Sequence, residues 1–174
     1  MKIESTAFTR ADLERFSGQF IDYERLALAE RIERDSARLR ELAQGLDAAA
    51  PSSGEEWSAH EVLAHIALFS KFYGMLIYKV GSGQFTEYDL LSSVQARDVA
   101  GRQLAAQPVA ALLEAIHADH QRTVAYLRSA DAASMQRRLD AGDGFSVSAE
   151  EIARLFLCAH LEQHLDHLAR LLAA

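Results

Sequence analysis

His160, His164 and His167 fall within the stretch CAHLEQHLDHL, which spans Cys158 to Leu168. On a helix advancing about 100° per residue, three rings so spaced lie within roughly 60° of one another. Ile152, Ala153, Phe156 and Leu157 extend the same stripe backward, and Leu168 and Leu171 extend it forward. The spacing therefore predicts imidazoles that continue a core-facing row. His160 and His164, four residues apart, have the separation with which one helical turn offers two nitrogens to one metal ion. His167 could take the place of His160, but a rise of roughly 10 Å from His160 to His167 makes all three on one ion awkward. A third ligand is expected from another helix.

His65 is the foremost candidate, because it lines up with Phe69, Phe72 and Leu76 as an imidazole inside an apolar row. His117 and His120 are its rivals, with His120 nearer the row of Leu113, Ile116, Thr123 and Leu127. His60, in the first turn of its helix, is expected to be exposed. A single buried histidine is ordinarily satisfied by a backbone carbonyl or a tyrosine, and Tyr73, Tyr78 and Tyr126 are available. Several on one helix are costlier to satisfy singly, since each buried nitrogen needs a partner. Patterning alone leaves core histidines and metal ligands equally open.

Helix-period segments dominate the chain that must position these rings. A first long helix is predicted from about Gln19 to Gln44, stopped by Gly45, with a shorter helix before it starting near Thr9 or Ala11. Its Arg31, Arg34, Arg38 and Arg40 alternate with Glu30, Glu33, Asp35 and Glu41, the pattern of a solvated face with i,i+4 pairs. A loop, AAAPSSGEE, follows. Ser58 and Glu61 form a capping box that opens a second helix, with Trp57 and Val62 as its hydrophobic staple; Gly81-Ser82-Gly83 end it. Residues 84–106 read as partly helical. Pro108 opens a third long helix that reaches about Ser129. Residues 130–147 form a connection through Gly142-Asp143-Gly144. Ser148 and Glu151 make another capping box, with Val147 and Ile152 as staple, for the helix that carries the histidines. Four long amphipathic helices with modest connections predict an all-α antiparallel bundle.

The 174 residues suit one domain, and the net charge of −7 argues against nucleic acid, whose phosphates need clustered Lys and Arg. The single Cys158 excludes an intramolecular disulfide framework and cysteine-rich metal sites; lying off the histidine stripe, it reads as a small core residue. With no apolar run approaching 18 residues, a cytoplasmic protein with no membrane partner is the expectation.

Trp57-Ser58 with His65 in the following helix, and His160-x-x-x-His164-x-x-His167 in the last one, resemble the DinB-like superfamily, particularly its YfiT-like branch. The resemblance covers roughly residues 20–174 in helix order, spacing and motif. It implies a DinB-type four-helix bundle with additional short helices, a single domain over residues 1–174, often a homodimer, holding a divalent metal through three histidines. Carried over position by position, the ligands are His65, His160 and His164, with His167 as an accessory residue. Three neutral imidazoles suit Zn²⁺ or Ni²⁺, and also Fe²⁺ or Mn²⁺. Three protein ligands leave a position open, as catalytic sites do.

The resemblance points first to a transferase that attaches a low-molecular-weight thiol to a small-molecule electrophile. A hydrolase using metal-bound water is the alternative, and a non-catalytic bundle with a stress-related binding role is the third. No carboxylate is placed as a general base: Glu162 and Asp166 face away from the stripe, and Glu61 and Glu151 are committed to capping. Thiolate attack needs less help from a base, which favours transfer.

Overall fold

The computed structural model describes residues 9–44, 46, 57–90 and 92–173. The first helix, α1 (Arg10–Ala43), is continuous: Thr9 caps it in a box with Asp12, and Gly18 in its interior does not break it. The expected division into a short and a long helix is thereby corrected. A glycine costs a helix about 1 kcal/mol, less than a capped helix of this length recovers by packing. Gly45 and the loop 48–56 lie outside the described residues.

Helix α2 (Ala59–Gly81) begins with the Ser58–Glu61 capping box and ends where the glycines predict. Then come α3 (Val94–Ala105), within the segment read as partly helical, and α4 (Val109–Ser129), for which Pro108 serves as the N-cap. Residues 130–147 hold more structure than a connection: a short helix α5 (Ala132–Gln136) and strands β1 (Arg138–Asp140) and β2 (Ser146–Ser148), paired antiparallel with Leu139 opposite Val147. Gly142, Asp143 and Gly144 all take positive φ, the conformation that a tight hairpin end demands and glycine adopts without strain.

The closing helical run is α6 (Ala149–Glu151), a π-helical stretch (Ile152–Ala159) and α7 (His160–Ala173), opened by the Ser148–Glu151 capping box. A π-turn carries more residues per turn than an α-turn, so residues 152–159 do not keep the register of a straight α-helix. Leu161, Leu165 and Leu168 are fully buried, whereas His160, His164 and His167 are half-buried. The imidazoles therefore flank the core row instead of continuing it, a correction to the straight α-helical projection.

Helix α1 packs on α4 and on α7, while α2 packs on α4, on α3 and on the π stretch with α7. Leu28, Ile32 and Leu39 of α1 meet Leu63, Ile66 and Ile77 of α2 and Leu112, Ile116 and Leu127 of α4 in one apolar core. The chain is mostly helical, with the hairpin as its one small sheet among the described residues. No helix among them is long and apolar enough to cross a membrane.

Of Arg31, Arg34, Arg38 and Arg40, only Arg34 pairs along α1 among the described residues, with Asp35 at 3.1 Å. Arg31 and Arg34 reach Glu162 at 2.8 and 3.0 Å, and Arg38 reaches Asp166 at 2.8 Å, so these charges clamp α1 to α7. The solvated-face expectation is corrected accordingly. A helical projection shows which charges share a face but not which helix lies beside it.

Candidate metal centre

His65 reaches the site from the second turn of α2, while His160 and His164 come from the first two turns of α7. The Nε2 atom of His160 lies 2.9 Å from that of His164 and 3.5 Å from that of His65. One nitrogen from each ring falls within 4.8 Å of the others. Tetrahedral zinc with bonds of about 2.05 Å would set its nitrogens about 3.3 Å apart, close to the two separations made by His160. Aromatic rings fix the imidazoles in place. Phe69 stacks on His160 with centroids 4.3 Å apart, and Trp57 stacks on His164 at 6.1 Å while meeting His65 edge-on at 4.8 Å.

Burial keeps these rings neutral. Desolvation, with the neighbouring His160 adding to it, lowers the pKa of His65 to about 4. Desolvation followed by the other histidines lowers that of His164 to about 4 as well, and desolvation also lowers that of His160. His160 hydrogen-bonds the Phe156 backbone through its ring, so its Nε2 presents one lone pair to two imidazole neighbours. One lone pair accepts one hydrogen well. His164 Nδ1 is buried with no partner. Three neutral imidazoles whose nitrogens converge without enough acceptor lone pairs to satisfy one another are a donor set that a divalent cation fits.

His167 stands one turn further along, its ring 6.4 Å from that of His164 and outside the converging group. His120 is 2% exposed and lies in a separate contact, 2.9 Å from the hydroxyl of Ser70 between α4 and α2. His117 is not part of the cluster either. His60 departs from its expected exposure: it is half-buried, with Nε2 3.1 Å from the Ala105 carbonyl, and so ties the start of α2 to the end of α3. Trp57 is also more than a staple, since its ring lies on the histidines.

Beside the rings, between α2 and α3, is a cavity of about 480 Å³. Trp57, His65, Phe69, Phe72, Tyr73 and His160 line it together with Arg97 and Gly101 of α3. Sequence reasoning did not single out Arg97, because one arginine on a short helix carries no spacing signal.

The carboxylates nearby are engaged. Glu61 Oε2 accepts from the Ser58 backbone and hydroxyl at 2.7 and 2.9 Å, which holds its pKa below the usual range. Glu162 is gripped by Arg31 and Arg34, and Asp98 pairs with Arg102 at 2.8 Å. Cys158 is fully buried and its thiol is pushed up to about 12 by burial, so it is neither ligand nor nucleophile.

No curated protein and no solved structure matches the chain. The family model described as the DinB superfamily matches residues 31–168, a span that contains all three converging histidines, and the chain belongs to that superfamily.

Proposed function

We infer that this protein is a divalent-metal-dependent transferase that joins a low-molecular-weight thiol to a small-molecule electrophile. Its four long helices are read as an antiparallel DinB-type bundle. One observation carries the inference: three neutral imidazoles from two helices converge, two of them, His65 and His160, on the wall of a cavity large enough for a small organic molecule.

His65, His160 and His164 would hold the ion, with Zn²⁺ or Ni²⁺ the best match to three imidazoles. Bound there, such an ion supplies a Lewis-acid position that favours the deprotonated form of a thiol at neutral pH. The protein's own residues supply the rest. Desolvated histidines stay unprotonated and available as donors, Phe69 and Trp57 keep their planes fixed, and Phe72 and Tyr73 wall the cavity in which the acceptor would lie. Transfer is favoured over hydrolysis because Glu61, Glu162 and Asp98 are held by capping or ion pairs, so no free carboxylate faces the histidines among the described residues to take a proton from water.

The test is metal analysis of the purified protein, followed by incubation of the loaded form with an electrophile and a panel of cellular thiols. Close to one ion per chain and metal-dependent conjugate formation are expected. Turnover of esters or amides without thiol would replace transfer by hydrolysis. A chain that takes up neither Zn²⁺ nor Ni²⁺ would leave only a non-catalytic role.

A further inference from the structure

The α3 wall of the cavity carries a cation with no carboxylate partner among the described residues. Arg97 lies on it with its guanidinium 5.1 Å from the centroid of the Phe72 ring, within the range of a cation–π contact. One of its N–H groups donates to the Leu90 carbonyl at 2.8 Å, and another is shared with the Tyr73 phenol, which feels both its charge and its hydrogen bond. A guanidinium has five donors in a planar fork, so these contacts hold the group without exhausting it. Among the described residues no carboxylate pairs with it.

The neighbouring charges do not perform the same task. Arg102, one turn further along α3, is matched by Asp98 at 2.8 Å. Glu61 belongs to the Trp57 end of the wall and is tied to Ser58. In a chain of net charge −7, a cation that no carboxylate matches among the described residues, set beside aromatic rings, is an uncommon arrangement. Arg97 is half-buried on the cavity wall, and a planar fork matches a carboxylate bidentately.

We propose that the cavity selects a small molecule bearing a carboxylate, which Arg97 and the Tyr73 hydroxyl bind while the aromatic wall holds its body and its reacting end faces the histidines. The Tyr73 ring interacts with Arg97 and has its centroid 6.4 Å from that of His160, so the substrate is short: an organic acid whose reactive atom lies a few bonds from its carboxylate. This deepens the proposed function and rests on the same cavity being the substrate site. The carboxylate belongs either to the acceptor or to the thiol.

Trp57 is the single tryptophan of the chain and lies on the cavity wall, which makes its fluorescence the reporter. The full chain, stripped of metal so that no ion can bind the acid, is titrated with benzoate and with benzamide. Benzoate is expected to change the Trp57 emission saturably and to bind more tightly than benzamide. Arg97→Gln should weaken benzoate by about ten- to a hundredfold, the worth of charge-assisted hydrogen bonds, and leave benzamide unchanged. Arg102→Gln should alter neither. Equal binding of the two probes, or undiminished benzoate binding by Arg97→Gln, overturns the proposal.

Should Arg97→Gln lose its helical spectrum, Tyr73→Phe carries the test. Loss of one hydrogen bond there should reduce the preference for benzoate severalfold, and an unchanged preference overturns the proposal. In the metal-loaded protein, 3-mercaptopropionate is then set against 2-mercaptoethanol as a competitor of benzoate. Competition by the acid alone places the carboxylate on the thiol; benzoate bound alongside either thiol places it on the acceptor. Arg97-dependent benzoate binding in a chain that never takes up metal would sink the proposed function and leave this site standing. Metal uptake with indifferent benzoate binding would do the reverse.

Discussion

His164→Leu should separate the metal requirement from the stability of the fold. In the metal-free protein His164 is an awkward residue: its Nδ1 is buried without a partner, and its Nε2 abuts that of His160 at 2.9 Å. An unsatisfied buried polar group costs roughly 1–3 kcal/mol. Leucine would place apolar volume against Trp57, Phe69 and His65 instead. The metal-free variant is therefore expected to match the wild type within about 1 kcal/mol, or to exceed it. Metal reverses the order. An ion present at about a thousand times its dissociation constant adds about 4 kcal/mol to the wild type, which for a chain of this size is a rise in Tm of roughly 8–16 °C. The variant has lost one of three ligands and should show little or none of that rise. Scanning calorimetry of chelator-stripped protein, with and without added Zn²⁺ or Ni²⁺, measures both quantities. A variant that keeps the full rise refutes the ligand assignment. A metal-free variant that falls by more than about 2 kcal/mol shows that His164 holds the fold as an ordinary hydrogen-bonded histidine.

Other outcomes follow from residues away from the rings. The pKa of His120 is lowered to about 4, first by desolvation and then by His117. Between that value and 6.5 the unfolded chain binds the extra proton, so the stability His120 lends is complete above about pH 6.5 and disappears as pH falls toward 4. At roughly 1.4 kcal/mol per unit this amounts to about 3 kcal/mol, and His120→Gln, able to keep a contact with Ser70, should flatten that part of a urea-unfolding profile measured against pH. A methyl group at Gly81 would meet the Tyr126 hydroxyl and lie 2.9 Å from its Cζ; Gly81→Ala should lower stability by about 1–3 kcal/mol in denaturant melts, despite the better helix propensity of alanine. Tyr126→Phe removes a buried hydroxyl with no partner, and its melt should be unchanged or raised by about 1 kcal/mol. Cys158 should resist an aromatic disulfide reagent in native buffer and react fully once the chain is unfolded, because its thiol is buried and pushed up to about 12.

The sequence by itself determined whatever rests on neighbours along the chain. Ser58 with Glu61 and Ser148 with Glu151 announce two helix starts because a capping box is satisfied within four residues. The His160–His164 pair is legible because one helical turn sets its spacing. Even the unexpected hairpin left a local trace in Asp143-Gly144, although strands of three residues are too short to show alternation. Tertiary structure alone decided that His65 closes on that pair across α2 and α7, while His120, in an equally apolar row, closes on Ser70. Periodicity gives the face a residue occupies, but the partner on that face is set by how helices pack in three dimensions. The same holds for Arg97, which became meaningful only when α3 laid it along the cavity. It holds too for the edge position of the histidines, because Leu161, Leu165 and Leu168 take the core row of α7 and leave the rings half-buried, with His160 on the cavity.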